Sequence, residues 1–199
     1  MTIYELKPKF QNLLRPLTTK LFNLGITANQ VTFFACIVSV FIGFLLVKFS
    51  HISALFFILP IWLFLRMALN AIDGILAREF NQKSALGGYL NEATDVISDS
   101  ALYLPFAFIA PFDWGTIMLI IFLSQLSEFL GVLGQVLGRN RRYDGPMGKS
   151  DRAFAFGLFG MLYACFGELW QWVYYLGVLI IVLLVITCIN RVKSGLKEA

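Results

Sequence analysis

Histidine is nearly missing from this chain. His51 is the single one, and it falls in a short loop between two apolar runs. A histidine-based metal site or a nucleophilic triad is thereby excluded. Cysteine is scarce too: Cys36, Cys165 and Cys188 lie far apart, each inside an apolar run, and read as small buried hydrophobes rather than metal ligands. Any metal must then be held by oxygen, which points to magnesium, manganese or calcium. No repeat of roughly 20–50 residues and no low-complexity linker divides the chain. An early apolar run is also lacking. The first begins near Val31, behind a basic stretch, so no cleavable signal peptide is expected and the first span should remain as a signal anchor.

What the chain has in quantity is apolar side chain: 58% of 199 residues are hydrophobic, for a mean hydropathy of +0.75. That places it among multi-span membrane proteins, long enough for one helical bundle and too short for a bundle plus an aqueous domain. At roughly 20 residues per span, the apolar runs predict six transmembrane helices, over 29–49, 52–77, 87–110, 115–138, 152–168 and 170–190. The expected fold is all-α and integral to the membrane. A six-helix domain (29–190) lies between a juxtamembrane segment (1–28) and a basic cytoplasmic tail (191–199).

In the first segment Ile3, Leu6, Phe10, Leu13, Leu14, Leu17 and Leu21 alternate with Lys7, Lys9, Arg15 and Lys20. The pattern predicts an amphipathic helix on an anionic lipid surface, its continuity limited by Pro8 and Pro16. Basic residues also gather in the 78–86 loop (Arg78, Lys83), the 139–152 loop (Arg139, Arg141, Arg142, Lys149, Arg152) and the C-terminus (Arg191, Lys193, Lys197). The alternate loops hold only Lys48, at one edge. The positive-inside bias then puts both termini on the cytoplasmic side of an inner membrane. Gly134 with Gly138, and Gly157 with Gly160, permit close helix approach and read as packing within the chain.

Against this background Asp73, Glu92, Asp95 and Asp99 stand out. Carboxylates at membrane depth persist where they bind a cation, a partner or a substrate. Helical spacing puts Asn70, Asp73, Gly74 and Ala77 on one face, and Asn91, Asp95 and Asp99 on another with Gly88 and Glu92 at its edge. Two such faces joined by a short polar loop can clamp divalent cations. Arg66 lies on the first face, four residues before Asn70. It is expected either to neutralise Asp73 or Asp99 or to touch a polar substrate. Glu128, with Ser124 and Gln125, forms an inward polar stripe, for an acceptor pocket or for interhelical hydrogen bonds.

Written with its spacing, the segment is Asn70-x2-Asp73-Gly74-x2-Ala77-Arg78-x8-Gly87-x3-Asn91-x3-Asp95. It resembles the signature of the CDP-alcohol phosphotransferase (CDP-alcohol phosphatidyltransferase) family, Asp-x2-Asp-Gly-x2-Ala-Arg-x8-Gly-x3-Asp-x3-Asp, with six of eight fixed positions matched. Thr27-Ala28-Asn29-Gln30-Val31-Thr32 likewise resembles the Thr-Pro-Asn-x-x-Thr that opens the family's first span, and the likeness extends over the whole chain. The resemblance implies a membrane transferase of phospholipid biosynthesis. It would move a phosphatidyl group from a CDP-linked lipid, such as CDP-diacylglycerol, to an alcohol and release CMP. It implies Mg2+ or Mn2+ as cofactor, a homodimer, membrane lipids as surroundings and no nucleic-acid partner.

Carried over residue by residue, the resemblance gives CDP binding to Asn29, Asn70, Asp73, Gly74, Ala77, Arg78 and Gly87. It makes Asp73 a metal ligand, and Asp95 both the general base on the acceptor hydroxyl and a further metal contact. The residue chemistry agrees. Gly74 and Gly87 leave room for a nucleotide at the backbone, Arg78 can fork onto a phosphate, and divalent ions neutralise a diphosphate.

Asn70 and Asn91 depart from the signature, standing where it has aspartates. Four carboxylates would balance two divalent ions, −4 against +4, and the two asparagines leave −2 against +4. Either Glu92 and Asp99 join Asn70, Asp73, Asn91 and Asp95 as ligands and restore charge, or the site takes one metal. Pairing of Glu92 and Asp99 with basic residues is the competing role for them. In family members with phosphorylated acceptors, basic residues after the fourth span and near the end of the sixth hold the phosphate. That points to Lys149, Arg152 and Arg191, and favours a phosphorylated polyol such as glycerol 3-phosphate; positive-inside charge alone is the other reading of that loop. No nucleophile stands beside a base, so direct transfer is expected. Two rivals remain: a non-catalytic relative that binds CDP-lipid, and an ion-coupled transporter, against which the missing inverted repeat and the small span count argue.

Overall fold

The computed structural model describes residues 3–197. Met1, Thr2, Glu198 and Ala199, at the ends of the expected interfacial segment and tail, lie outside the described residues, as do the side chains of residues 3–9. Among the described residues the chain is helical, without a strand. It runs α1 (Ile3–Asn23), α2 (Ala28–Lys48), α3 (Ile58–Glu79), α4 (Ala85–Tyr103), α5 (Trp114–Val136), α6 (Lys149–Phe166) and α7 (Gln171–Lys197), with 3-10 turns at Ser53–Phe57 and Leu104–Phe108.

Four segments are long and apolar enough to cross a membrane: Ala28–Lys48, Ser53–Glu79, Trp114–Val136 and Gln171–Lys197. They correspond to the expected spans 29–49, 52–77, 115–138 and 170–190. The expected spans 87–110 and 152–168 do form helices, α4 and α6, but neither meets that measure, so four spans are supported where six were expected. The reason is local. The 19 residues of α4 include Glu92, Asp95 and Asp99, and the helix gives way to a 3-10 turn at Pro105, which has no N–H to continue the ladder. The first turn of α6 consists of Lys149, Ser150, Asp151 and Arg152.

Other boundaries moved as well. α7 runs on through Lys197, taking in most of the stretch expected as a tail. α1 continues unbroken through Pro8 and Pro16, although an interior proline costs an isolated helix about 3 kcal/mol. Packing offsets that cost. Leu14 and Leu21 rest on a buried cluster of Ala28, Val31, Ile72 and Leu76, Phe22 meets Phe80 at 4.5 Å, and Arg15 forks onto Glu79 at 2.9 and 3.0 Å. Cys36 and Cys188 are buried as expected, whereas Cys165 is exposed.

Contacts divide the chain into two units. The first takes residues up to Phe41 together with Trp62–Asp99, and the second takes Ile42–Ile61 with the residues from Ser100 on. In the first, α1 and the facing parts of α2 and α3 share the cluster just described, and the Trp62 indole N–H donates to Ser39 Oγ at 2.9 Å, both buried. The second is built on aromatic rings. Tyr103 stacks on Phe156 at 4.0 Å, Phe106 meets Phe156 edge-on at 5.3 Å, and Phe56 meets Tyr163 edge-on at 5.0 Å. Each such pair contributes about 0.5–1.5 kcal/mol beyond its buried area. Gly160 serves close packing within the chain, since a Cβ there would stand 3.0 Å from Leu59.

Candidate active site

The first unit carries the signature residues, and its local structure begins at α2. Thr27 and Gln30 form a reciprocal capping box. Gln30 N–H donates to Thr27 Oγ1 at 3.3 Å and Thr27 N–H to Gln30 Oε1 at 2.9 Å. The box places Asn29 in the first helical turn. A third donor of that helix end, Ala28 N–H, bonds Gln82 Oε1 at 2.7 Å, which ties the α3–α4 loop to the start of α2. α4 opens with Ser84 as its cap, Oγ accepting from Gly87 N–H at 2.9 Å. A Cβ on Gly87 would stand 2.9 Å from Asn29 Oδ1, so glycine there lets the first turns of α2 and α4 meet.

On α3, the positions Arg66, Asn70, Asp73 and Ala77 follow one another at helical spacing. Asp73 is buried and accepts from Thr32 Oγ1 of α2 at 2.8 Å. Arg66, only 3% exposed, reaches α4. Its Nη2 donates to Asp95 Oδ1 at 3.1 Å and to the Asp95 carbonyl at 3.4 Å, and its Nη1 donates to the buried Asp99 carboxylate. Asn70 Nδ2 donates to the same Asp95 oxygen at 3.3 Å. Asn91 donates to Glu92 at 3.5 Å. Arg78 folds its guanidinium over Gly74, where a Cβ would lie 3.1 Å from both terminal nitrogens.

Of the two roles expected for Arg66, the structure supplies the ionic one. Its partners are Asp99 and also Asp95, which spacing had not suggested. Asp99 accordingly has a basic partner, the competing role named for it. Among the described residues no three His, Cys, Asp or Glu side chains gather as a metal cluster. The oxygen donors named from the signature are carried by α3 (Asn70, Asp73) and α4 (Asn91, Glu92, Asp95), and across the two helices Asn70 bonds Asp95. Oxygen donors of this kind suit a hard divalent ion.

The second unit holds the basic residues around Glu128 of α5. Glu128 Oε1 lies 2.9 Å from Arg152 Nη2 of α6, and Oε2 lies 3.2 Å from Arg141 Nη2 and 3.5 Å from Arg191 Nη1 of α7. Arg152 is fully buried and Arg191 nearly so. Arg152 Nη1 also donates to the Met147 carbonyl at 3.3 Å, and Arg191 Nη1 donates to the Ser127 carbonyl.

The 139–148 loop reaches this cluster because α5 offers glycines. Arg142 N–H bonds the Gly131 carbonyl at 3.0 Å and Arg139 N–H the Gly134 carbonyl at 2.9 Å. Cβ atoms on Gly131 and Gly134 would sit 2.7 and 2.9 Å from loop carbonyls. Gly145, at φ +128°, presses its backbone on Thr187, and Met147 N–H donates to Thr187 Oγ1 at 3.0 Å. In the same loop burial opposes the charge on Asp144, but hydrogen bonds from Arg142, the backbone and Ser194, together with the Arg142 charge, outweigh it and hold the carboxyl below the usual range. Arg141 was the residue undervalued from sequence. The glycines of α5 were its signal, and they receive the loop.

The chain matches the family model for CDP-alcohol phosphatidyltransferase over residues 25–189. It is 47% identical over 196 residues to Inner membrane protein YnbA of Escherichia coli (strain K12), spanning 98% of this chain and 97% of that protein. It is 25% identical over 134 residues to the Archaetidylinositol phosphate synthase of Pyrococcus horikoshii, spanning 67% of this chain and 69% of that one. The fold resembles the crystal structure of Mycobacterium tuberculosis phosphatidylinositol phosphate synthase (PgsA1) in complex with manganese and citrate. The TM-score is 0.73 at 20% identity, over 90% of this chain and 87% of that one. The same enzyme with CDP-DAG bound gives 0.72 at 20% identity, over 90% and 92%. The chain belongs to the CDP-alcohol phosphatidyltransferase family.

Proposed function

We propose that the chain transfers a phosphatidyl group from CDP-diacylglycerol to an alcohol and releases CMP at the cytoplasmic face of the membrane. The observation that carries this reading is the cross-helix anchoring of the signature. Asp95 of α4 accepts from Asn70 and Arg66 of α3, and Asp73 accepts from Thr32 of α2. A relative's structure with CDP-DAG bound supports the donor, and one with manganese supports a divalent ion.

In this reading Asn29, Asn70, Asp73, Gly74, Ala77, Arg78 and Gly87 bind the CDP group, with Arg78 donating to phosphate oxygens. Mg2+ or Mn2+, when bound, would neutralise the diphosphate charge, and Asp73, Asp95, Glu92 and the amide oxygens of Asn70 and Asn91 would hold it. The Asp95 carboxylate takes the proton of the acceptor hydroxyl. The acceptor oxygen then bonds to the lipid-side phosphorus as the bond from that phosphorus to CMP breaks.

Lys149, Arg152 and Arg191 bind the acceptor, a phosphorylated polyol. The names of the archaetidylinositol phosphate synthase and phosphatidylinositol phosphate synthase relatives support that class. The basic loops support cytoplasmic termini and a cytoplasmic site, and a homodimer is part of the same reading.

The test is CMP release by purified protein given CDP-diacylglycerol, Mg2+ or Mn2+, and a panel of alcohols and polyol phosphates. Release with an acceptor, lost in Asp95→Asn, is expected. Release that survives Asp95→Asn removes the proposed base. Asn70 and Asn91 favour a second reading, a relative that binds CDP-lipid without turnover; metal-dependent CDP binding with no CMP from any acceptor would establish it.

A further inference from the structure

Of the four tryptophans, Trp62 is buried, and the other three stand at one end of the second unit. Trp114 opens α5, and Trp170 and Trp172 flank the first residue of α7. All three are exposed, as are Phe108, Phe166 and Tyr175. Phe108 meets Trp114 edge-on at 4.8 Å, Phe166 meets Trp170 at 4.8 Å, and Trp170 stacks on Trp172 at 6.0 Å. Packing holds this end together. Phe112, in the connection before α5, lies 5.3 Å from Phe159 of α6, and a Cβ on Gly177 of α7 would stand 2.7 Å from the same ring. The Tyr163 hydroxyl donates to the Ser50 carbonyl at 2.9 Å, tying α6 to the turn after α2. Charge is sparse there. Asp113 is engaged in capping α5, and beside it the connections carry only Lys48, at the end of α2, and Glu168.

An indole joins a broad apolar ring to one N–H donor. Hydrocarbon leaves the donor unsatisfied and water leaves the ring unburied, whereas the headgroup–acyl boundary of a lipid leaflet serves both. Helix length points to the same place. α5 and α7 are each long and apolar enough to cross a membrane, and both begin at these rings. At about 1.5 Å per residue, Arg191 lies about 28 Å along α7 from Trp172, close to the hydrocarbon thickness of about 30 Å. The apolar stretch between them includes Val182, which is exposed.

We propose that Trp114, Trp170 and Trp172 form an interfacial belt that seats the second unit in the headgroup–acyl boundary of the phospholipid leaflet opposite the 139–148 loop. With the belt there, the Arg191 end of α7 reaches the other boundary, and Val182 lies near the bilayer centre.

The experiment is tryptophan fluorescence of the purified full chain in phosphatidylcholine vesicles whose acyl chains carry bromine either near the headgroup or near the chain ends. The wild-type protein is expected to be quenched more strongly by the shallow bromines. Stronger quenching by the deep ones would put the rings in hydrocarbon. Quenching by aqueous iodide alone would put them in water, and quenching by no agent would show that protein, such as a second copy of the chain, covers them. Each of these three results overturns the proposal.

Chains with one indole then read depth along α7, the other tryptophans being replaced by Phe and each chain first checked for a single size-exclusion peak. Trp172 alone is expected to give the shallow profile. With Trp172 also replaced by Phe, Val182→Trp should give the deep profile and Val192→Trp the shallow one again. A shallow profile at 182, or a deep one at 172 or 192, would refute the bracketing of the hydrocarbon by the two ends. Should a variant fail to fold, the wild-type profile still decides, because only Trp62 among the four is buried. CMP release plays no part in these readouts, so the belt and the transferase reading stand or fall separately.

Discussion

Replacing Glu128 by Gln removes the carboxylate on which three guanidiniums converge. Its oxygens lie 2.9 Å from Arg152, 3.2 Å from Arg141 and 3.5 Å from Arg191, and Arg152 and Arg191 are 0% and 2% exposed. Those charges have little access to water, so hydration cannot replace the lost partner. Removing one member of a buried ion pair costs about 3–5 kcal/mol, because the other charge is left uncompensated. At about 2–4 °C per kcal/mol for a chain of this size, the melting midpoint should fall by about 6–20 °C. The assay is thermal unfolding of detergent-purified protein followed by tryptophan fluorescence, in phosphate-free buffer, since an anion among the guanidiniums would substitute for the carboxylate. Glu128→Gln combined with Arg141→Gln should recover part of the loss, by a coupling of about 0.5–3 kcal/mol. A fall under about 2 °C for Glu128→Gln, worth less than about 1 kcal/mol, would refute the idea that this carboxylate of α5 holds the loop, α6 and α7 cations together.

Thr27→Ala removes one half of the capping box that starts α2 and should cost about 0.5–2 kcal/mol, read as a lower unfolding midpoint that Thr27→Ser restores. Gly87→Ala sets a methyl group 2.9 Å from Asn29 Oδ1 and should weaken CDP-diacylglycerol binding by displacing that amide; unchanged affinity in a binding titration would remove Asn29 from the donor site. Asp113 caps α5, accepting from the Thr116 N–H at 2.8 Å and from its hydroxyl at 3.0 Å, and these bonds hold its carboxyl below the usual range. A depressed folded-state value means that this stabilisation is present above the unfolded value, about 3.9, and is lost as pH falls through the folded value. Asp113→Ala should therefore lower the midpoint at pH 7, with the gap closing below about pH 4; a gap of constant size down to pH 3 would show that the charge plays no part.

Much of the fold was legible from local information. Four apolar runs were found, three of them to within two residues at each end, and the acidic pair of helices was located by a spacing that survives in any helical context. α4 and α6 mark the limit of that approach. Both form, yet each combines a short apolar length with charges whose partners come from elsewhere in the chain. The prolines of α1 misled for a related reason, since propensity describes an isolated helix and the contacts of Leu14 and Leu21 belong to the fold.

The amino-acid sequence by itself determined the membrane class and the family signature with its two asparagines, because these depend on composition and on residues close in the chain. Only the tertiary structure decided which charges meet. On spacing alone Arg66 could have neutralised Asp73 or Asp99; it pairs with Asp99 and also bridges to Asp95. Arg141 read as one basic loop residue among several until the loop turned back along Gly131 and Gly134 to reach Glu128. The physical reason is common to both. A buried charge is stable only beside its counter-charge, and the identity of that partner is a property of helices brought together across 29 residues or 13, which no pattern along the chain encodes.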